Sequence, residues 1–148
     1  MSWAWWRLAW KVGLQLNRAM TSPEDVIHRY VEATSAADGD GAAALTADDG
    51  VIELPGGGAL LGKGGARQFA AKHAEADGRK QAVTLTSVEA HSPTRFVLTL
   101  VMSSREVATD ELLYSMDVGG VVEVRDGLIA RNQVFASPEE AAAAAQAD

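Results

Sequence analysis

From Ser22 onward the apolar positions repeat first at helical spacing and later by alternation. Ser22-Pro23-Glu24-Asp25 marks a helix start: the serine can cap, the proline suits the first turn, and the two acids favour the positive helix end. Val26, Ile27, Tyr30, Val31 and Thr34 then share one face, which predicts a helix to about Ala36. Asp38-Gly39-Asp40-Gly41 stops it, and a short alanine-rich turn runs through Leu45. Asp48-Asp49-Gly50 leads into a short strand over 51–54 that Pro55 and three glycines end. A second helix is predicted over 63–76, with Ala66, Phe69, Ala70, His73 and Ala74 on one face. Past Gly78 the period falls to two. Strands are predicted over 82–89, 95–103, 111–118, 121–125 and 128–135, joined by turns at His91-Ser92-Pro93-Thr94, Gly119-Gly120 and Asp126-Gly127. Ser137-Pro138-Glu139-Glu140 caps a last alanine-rich helix with a frayed end. Helices first and antiparallel strands last define an α+β domain, in which helices cover one face of a curved sheet.

The first twenty residues stand apart, so the chain divides into a helix over 1–20 and a domain over 21–148. All four tryptophans, Trp3, Trp5, Trp6 and Trp10, lie in the opening ten residues. Arg7, Lys11, Gln15 and Arg18 form one polar stripe at helical spacing, with apolar side chains around most of the remaining circumference. This pattern fits an interfacial helix that touches a membrane surface or a partner through residues 3–18. The alternatives are a helix packed on the domain and a segment upstream of a start at Met20. A spanning helix needs about 20 apolar residues, and Arg7 and Lys11 interrupt this stretch. A secretory signal would place its charge ahead of an unbroken apolar run and end at a small-residue cleavage site. The expected location is therefore cytoplasmic, peripheral at the inner membrane surface if the helix binds lipid.

Charge narrows the partners. The chain of 148 residues carries 20 acidic and 13 basic side chains, a net charge of -7. Three of the basic residues lie in the first eighteen positions, which hold no acid, so the rest of the chain is strongly acidic. Most of such a surface repels a polyanion, and nucleic acid is not an expected partner. Without cysteine there is no disulfide, thiolate metal site or cysteine nucleophile. The three histidines, His28, His73 and His91, show no metal-ligand spacing, and no metal is expected. Gly56-Gly57-Gly58 and Gly62-Lys63-Gly64-Gly65 match neither the phosphate-loop nor the dinucleotide-binding pattern. They read as turns rather than a nucleotide site, and no cofactor is expected.

Four phrases occur in an informative order: His28-Arg29-Tyr30-Val31, Leu45-Thr46-Ala47-Asp48-Asp49-Gly50-Val51-Ile52-Glu53, Gly62-Lys63-Gly64-Gly65, and Val121-Val122-Glu123-Val124-Arg125-Asp126-Gly127-Leu128-Ile129. Over about residues 22–137 they resemble the nuclear transport factor 2-like superfamily, also called SnoaL-like. The resemblance implies a cystatin-like cone, a strongly bent antiparallel sheet around N-terminal helices. It also implies a largely apolar cavity in the cone's mouth and a homodimer through the outer sheet face. The superfamily holds isomerases, dehydratases, cyclases, epoxide hydrolases and non-catalytic binding modules, so fold alone does not decide function.

Ketosteroid isomerase resembles the chain from Arg29 to Gly57 without a gap. Its phenol donor falls on Tyr30, its carboxylate base on Leu54, and its second, uncharged acid near Gly120. Without base and second donor, the standard enolisation chemistry lacks two of its three groups. The last-strand acid of limonene-type epoxide hydrolases falls near Val134, and that carry-over also fails. For scytalone-type dehydratases the counterparts are His73 and Asp117.

The candidate polar residues are therefore Tyr30, Asn132, His73 and Asp117. Tyr30 lies on the apolar face of the first helix, either as a cavity donor or as a core tyrosine. Asn132 alternates with Ala130 and Val134, on a face that continues to Leu128 and Ala136, and a buried amide there requires partners. His73 follows Phe69 by one turn and titrates nearest neutrality. Glu53 and Asp117 are expected to face outward; His28 and His91 are expected in solvent. Leu54, Phe69 and Val134 complete the expected ligand contacts. The chain is thus expected to bind a small, mostly apolar organic molecule in a cone cavity. The alternative is an enzyme of the isomerase, polyketide-cyclase, dehydratase or epoxide-hydrolase type, with Tyr30 and Asn132 as donors and His73 or Asp117 as base.

Overall fold

The computed structural model describes residues 21–147; the segment read as a basic, tryptophan-rich helix lies outside them. Helix α1 (Pro23–Ser35) starts where Ser22 accepts a hydrogen bond from the Asp25 backbone N–H. Its inward residues Val26, Ile27, Tyr30, Val31 and Thr34 are all buried. Two short elements follow, helix α2 (Gly39–Ala44) in place of the alanine-rich turn and strand β1 (Thr46–Glu53), which starts earlier than predicted. Lys63 ties them together, its Nζ donating to Ala43 O at 2.9 Å and to Thr46 O at 2.6 Å.

Glycines at positive φ, Gly56 to Gly58, turn the chain from β1 into strand β2 (Ala59–Leu61), a piece too short for sequence periodicity to reveal. Helix α3 (Gly62–Ala71) ends five residues before the predicted limit of 76. The N–H groups of Lys72, His73 and Ala74 bond to the carbonyls three residues back, so the helical pattern decays into tighter turns. His73 stays buried on the inward side, whereas Ala74, expected on the same face, is exposed.

Four long strands complete the sheet: β3 (Arg79–Ala90), β4 (Arg95–Glu106), β5 (Leu112–Arg125) and β6 (Leu128–Phe135). The order is β2-β1-β6-β5-β4-β3. All neighbours run antiparallel except β1 and β6, which are parallel because β6 returns beside the first strand after the whole hairpin succession. The result is a curled, unclosed sheet with α1, α2 and α3 in its concavity.

Two expectations are corrected in β5 and β6. Gly119-Gly120 is not a turn but the interior of β5, continuous from Leu112 to Arg125. A Cβ on Gly119 would lie 2.7 Å from the Ala141 Cβ and from the Ser137 carbonyl, so this glycine lets helix α4 (Pro138–Ala147) approach the sheet. In β6 the register with β5 shifts between Glu123 and Val124 and leaves Ala130 unopposed. The bulge moves the buried face from Ile129 to Asn132, so the expected single face from Leu128 to Ala136 is broken.

The main core lies between the helices and the concave face, where Ile27, Ala66 and Ala70 meet Phe96, Leu98, Val122 and Ile129. A smaller core on the convex face joins Ala141 and Ala145 of α4 to Val121, Val97 and Phe135. Among the described residues no helix is long and apolar enough to cross a membrane.

Candidate functional site

The concave face and helices α1 and α3 leave a cavity of about 380 Å³, within the range of small-molecule sites. Its walls come from alternate residues of three strands, Leu98, Leu100 and Met102 on β4, Met116, Val118 and Val122 on β5, and Val134 on β6. Gly120 faces it as well; a Cβ there would meet nothing closer than 3.5 Å, so the missing side chain adds to the open space. Leu54 and Phe69 also line it.

Tyr30 and Asn132, 102 positions apart, meet in its wall. The bent sheet brings β6 over α1, and Asn132 Nδ2 donates to Tyr30 Oη at 3.1 Å. Both residues are buried. Burial pushes the Tyr30 phenol up to about 12, and the Asn132 amide and Thr34 hydroxyl beside it pull it back only in part. Tyr30 therefore remains a neutral O–H donor throughout the physiological range. Thr34, one turn further along α1, also lines the cavity. Its Oγ1 is fully enclosed and makes no hydrogen bond of proper geometry among the described residues. Such an unsatisfied hydroxyl costs roughly 1–3 kcal/mol.

His73 is buried at the other side, with Nδ1 3.2 Å from the Phe69 carbonyl and its ring edge-on to the Phe69 ring. A carbonyl only accepts, so Nδ1 carries the hydrogen and Nε2 keeps the lone pair. Burial lowers the His73 pKa, the Phe69 and Ala70 carbonyls oppose that effect, and Lys80 and Lys72 add to it. The imidazole is neutral at pH 7.

The other candidates do not join this group. Asp117 is exposed and absent from the lining, whereas its neighbours Met116 and Val118 line the cavity. Glu53 is half-buried outside it, held by Arg131 at 3.0 Å and by Gln133 Nε2 at 2.8 Å. His28 and His91 are exposed. No aspartate or glutamate lines the cavity among the described residues, and Lys72 is the one lysine or arginine that does. Nor do the described residues contain a group of three His, Cys, Asp or Glu side chains placed to hold a metal. Sequence reasoning missed Thr34, Lys72 and Gln81 as lining residues. Thr34 was signalled by its spacing of four from Tyr30; Gln81, bonded to Tyr114 Oη at 3.1 Å, had no local signal.

The SnoaL-like domain family matches residues 27–132. No curated protein sequence matches the chain. Among solved structures, a protein of ketosteroid isomerase-like fold from Catenulispora acidiphila DSM 44928, in complex with trimethylamine, superposes with a TM-score of 0.63 at 17% identity. The match covers 79% of this chain and 88% of that one. A Mycobacterium tuberculosis protein in complex with estradiol-17β-hemisuccinate gives 0.59 at 23% identity, covering 74% and 89%. The Δ5-3-ketosteroid isomerase of a Mycobacterium species gives 0.55 at 22%, covering 74% and 88%. At such identity these likenesses establish a common fold.

Proposed function

Because the chain belongs to the SnoaL-like domain family, we propose that it binds a small, mostly apolar organic molecule in the cone cavity and anchors one oxygen of it at the buried Tyr30–Asn132 pair, where Asn132 holds the Tyr30 phenol. The observation that carries this reading is the cavity itself, apolar on nearly every wall, with one buried phenol–amide pair and, among the described residues, no carboxylate in its lining. Apolar walls supply affinity by area, and a few fixed polar groups supply orientation. The estradiol hemisuccinate complex of the structural neighbour suggests a fused-ring molecule of steroid size as a first probe.

The lining argues against a ketosteroid isomerase of standard mechanism. Leu54, at the aligned position of the base, contributes an alkyl side chain, and no carboxylate among the described residues lines the cavity in its place. The purified protein is expected not to isomerise a β,γ-unsaturated ketosteroid above background; turnover abolished by Tyr30→Phe would contradict this. A second reading, catalysis of the dehydratase or cyclase kind, draws on one observation: His73, whose Nδ1 faces the Phe69 carbonyl so that Nε2 keeps the lone pair, lines the same cavity.

Calorimetric titration with estradiol-17β-hemisuccinate tests the binding reading. Tyr30→Phe and Asn132→Leu should each weaken the complex by roughly 1–3 kcal/mol, the range for leaving a buried partner unsatisfied. Unchanged affinity in both variants would remove the pair from the site.

A further inference from the structure

Thr34 and Thr46 are buried to the same degree, 4% and 3% exposed, but only Thr46 makes a hydrogen bond of proper geometry, the Thr34 hydroxyl lying beside the Tyr30 phenol without one. Thr46 Oγ1 donates to the Ala42 carbonyl four residues back at 2.8 Å, the ordinary way for a threonine hydroxyl at a helix to satisfy itself. Thr34 has the same option toward the carbonyl of Tyr30 and does not use it. It lies in the cavity wall one turn from the phenol. A valine would have the same shape and carry no polar atom to satisfy, so packing alone does not call for threonine here.

We propose that Thr34 is a ligand-contacting residue whose hydroxyl, together with the Tyr30 phenol, holds a single oxygen of the bound molecule. The hydrogen-bond balance supports this. Asn132 donates to Tyr30 Oη, and a phenol that accepts still has its own hydrogen to give. Thr34 adds a second hydroxyl hydrogen, so two O–H donors stand one helical turn apart beside the same space. An oxygen with two lone pairs can take both. Threonine in a helix divides between two χ1 wells, so turning the hydroxyl toward a ligand needs no backbone movement. In the unliganded protein the Thr34 hydroxyl makes no hydrogen bond of proper geometry, and binding supplies one.

This inference rests on the cavity being a binding site, and it makes two opposite demands on one substitution. Thr34→Val should raise the thermal midpoint of the unliganded protein by roughly 1–4 °C, because a buried hydroxyl without a hydrogen bond of proper geometry is removed at constant shape. The same variant should weaken estradiol-17β-hemisuccinate roughly 2- to 10-fold, the value of one neutral hydrogen bond. Thr34→Ser, which keeps the hydroxyl, should bind within about twofold of the wild type. The analogue lacking the ring oxygen, 3-deoxyestradiol-17β-hemisuccinate, should bind wild type and Thr34→Val alike. A lower midpoint in unliganded Thr34→Val would show a structural hydrogen bond and overturn the proposal. So would wild-type affinity in that variant. Failure of the wild type to bind either steroid would instead contradict the cavity reading, and the proposal would fall with it.

Discussion

At the scale of single residues, His73 links burial to pH most directly. Its pKa is held below the ordinary value of 6.5, first by burial. The unfolded imidazole therefore takes up a proton that the native one resists, and the stability it contributes is present above the unfolded pKa and lost as pH falls. His73→Gln should flatten the fall of the thermal midpoint between pH 7.5 and pH 5 relative to wild type. An equal slope in both proteins would mean that His73 is not held neutral. Residue identity was the most legible level for α1, because Val26, Ile27, Tyr30, Val31 and Thr34 lie at helical spacing. The meeting of Tyr30 with Asn132 was not legible. It depends on the sheet's curvature and on the unopposed Ala130, neither of which leaves a local pattern.

Among elements, β5 and α4 show how one sequence signal can serve two structures. Paired glycines between apolar runs read as a turn, yet Gly119 and Gly120 face opposite sides of one strand, the first beneath α4 and the second toward the cavity. Whether a glycine supplies a turn or a close approach depends on partners distant in sequence. Gly119→Val should therefore push α4 from the sheet and cost roughly 1–3 kcal/mol by overpacking, read as a lower urea midpoint. Gly120→Ala, whose added atom meets only ordinary contacts, should leave that midpoint nearly unchanged. Comparable losses at both positions would contradict this division of roles. The other boundaries missed, at α3 and β2, were set by turn geometry and pairing rather than by periodicity.

For the whole molecule, charge and composition separate the N-terminal segment from the domain. Every tryptophan lies within residues 3–10, so intrinsic tryptophan fluorescence reports on that segment. If residues 3–18 meet an anionic membrane surface, each of Arg7, Lys11 and Arg18 contributes about 1 kcal/mol and the acidic domain opposes part of it. Anionic vesicles at low salt should then shift the emission to the blue, and high salt should reverse the shift. Emission that vesicles leave unchanged would remove the membrane reading. Any pairing of copies through the outer sheet face shares that face with α4, which covers Gly119 and Val121. The central claim is that the cone cavity takes an apolar molecule by its oxygen. A crystal structure of the complex with estradiol-17β-hemisuccinate tests it most directly. The expected result places the steroid rings among Leu98, Val118 and Val134, with an oxygen about 2.6–3.2 Å from Tyr30 Oη. Rings seated outside the cavity, or an empty cavity at saturating ligand, would contradict it.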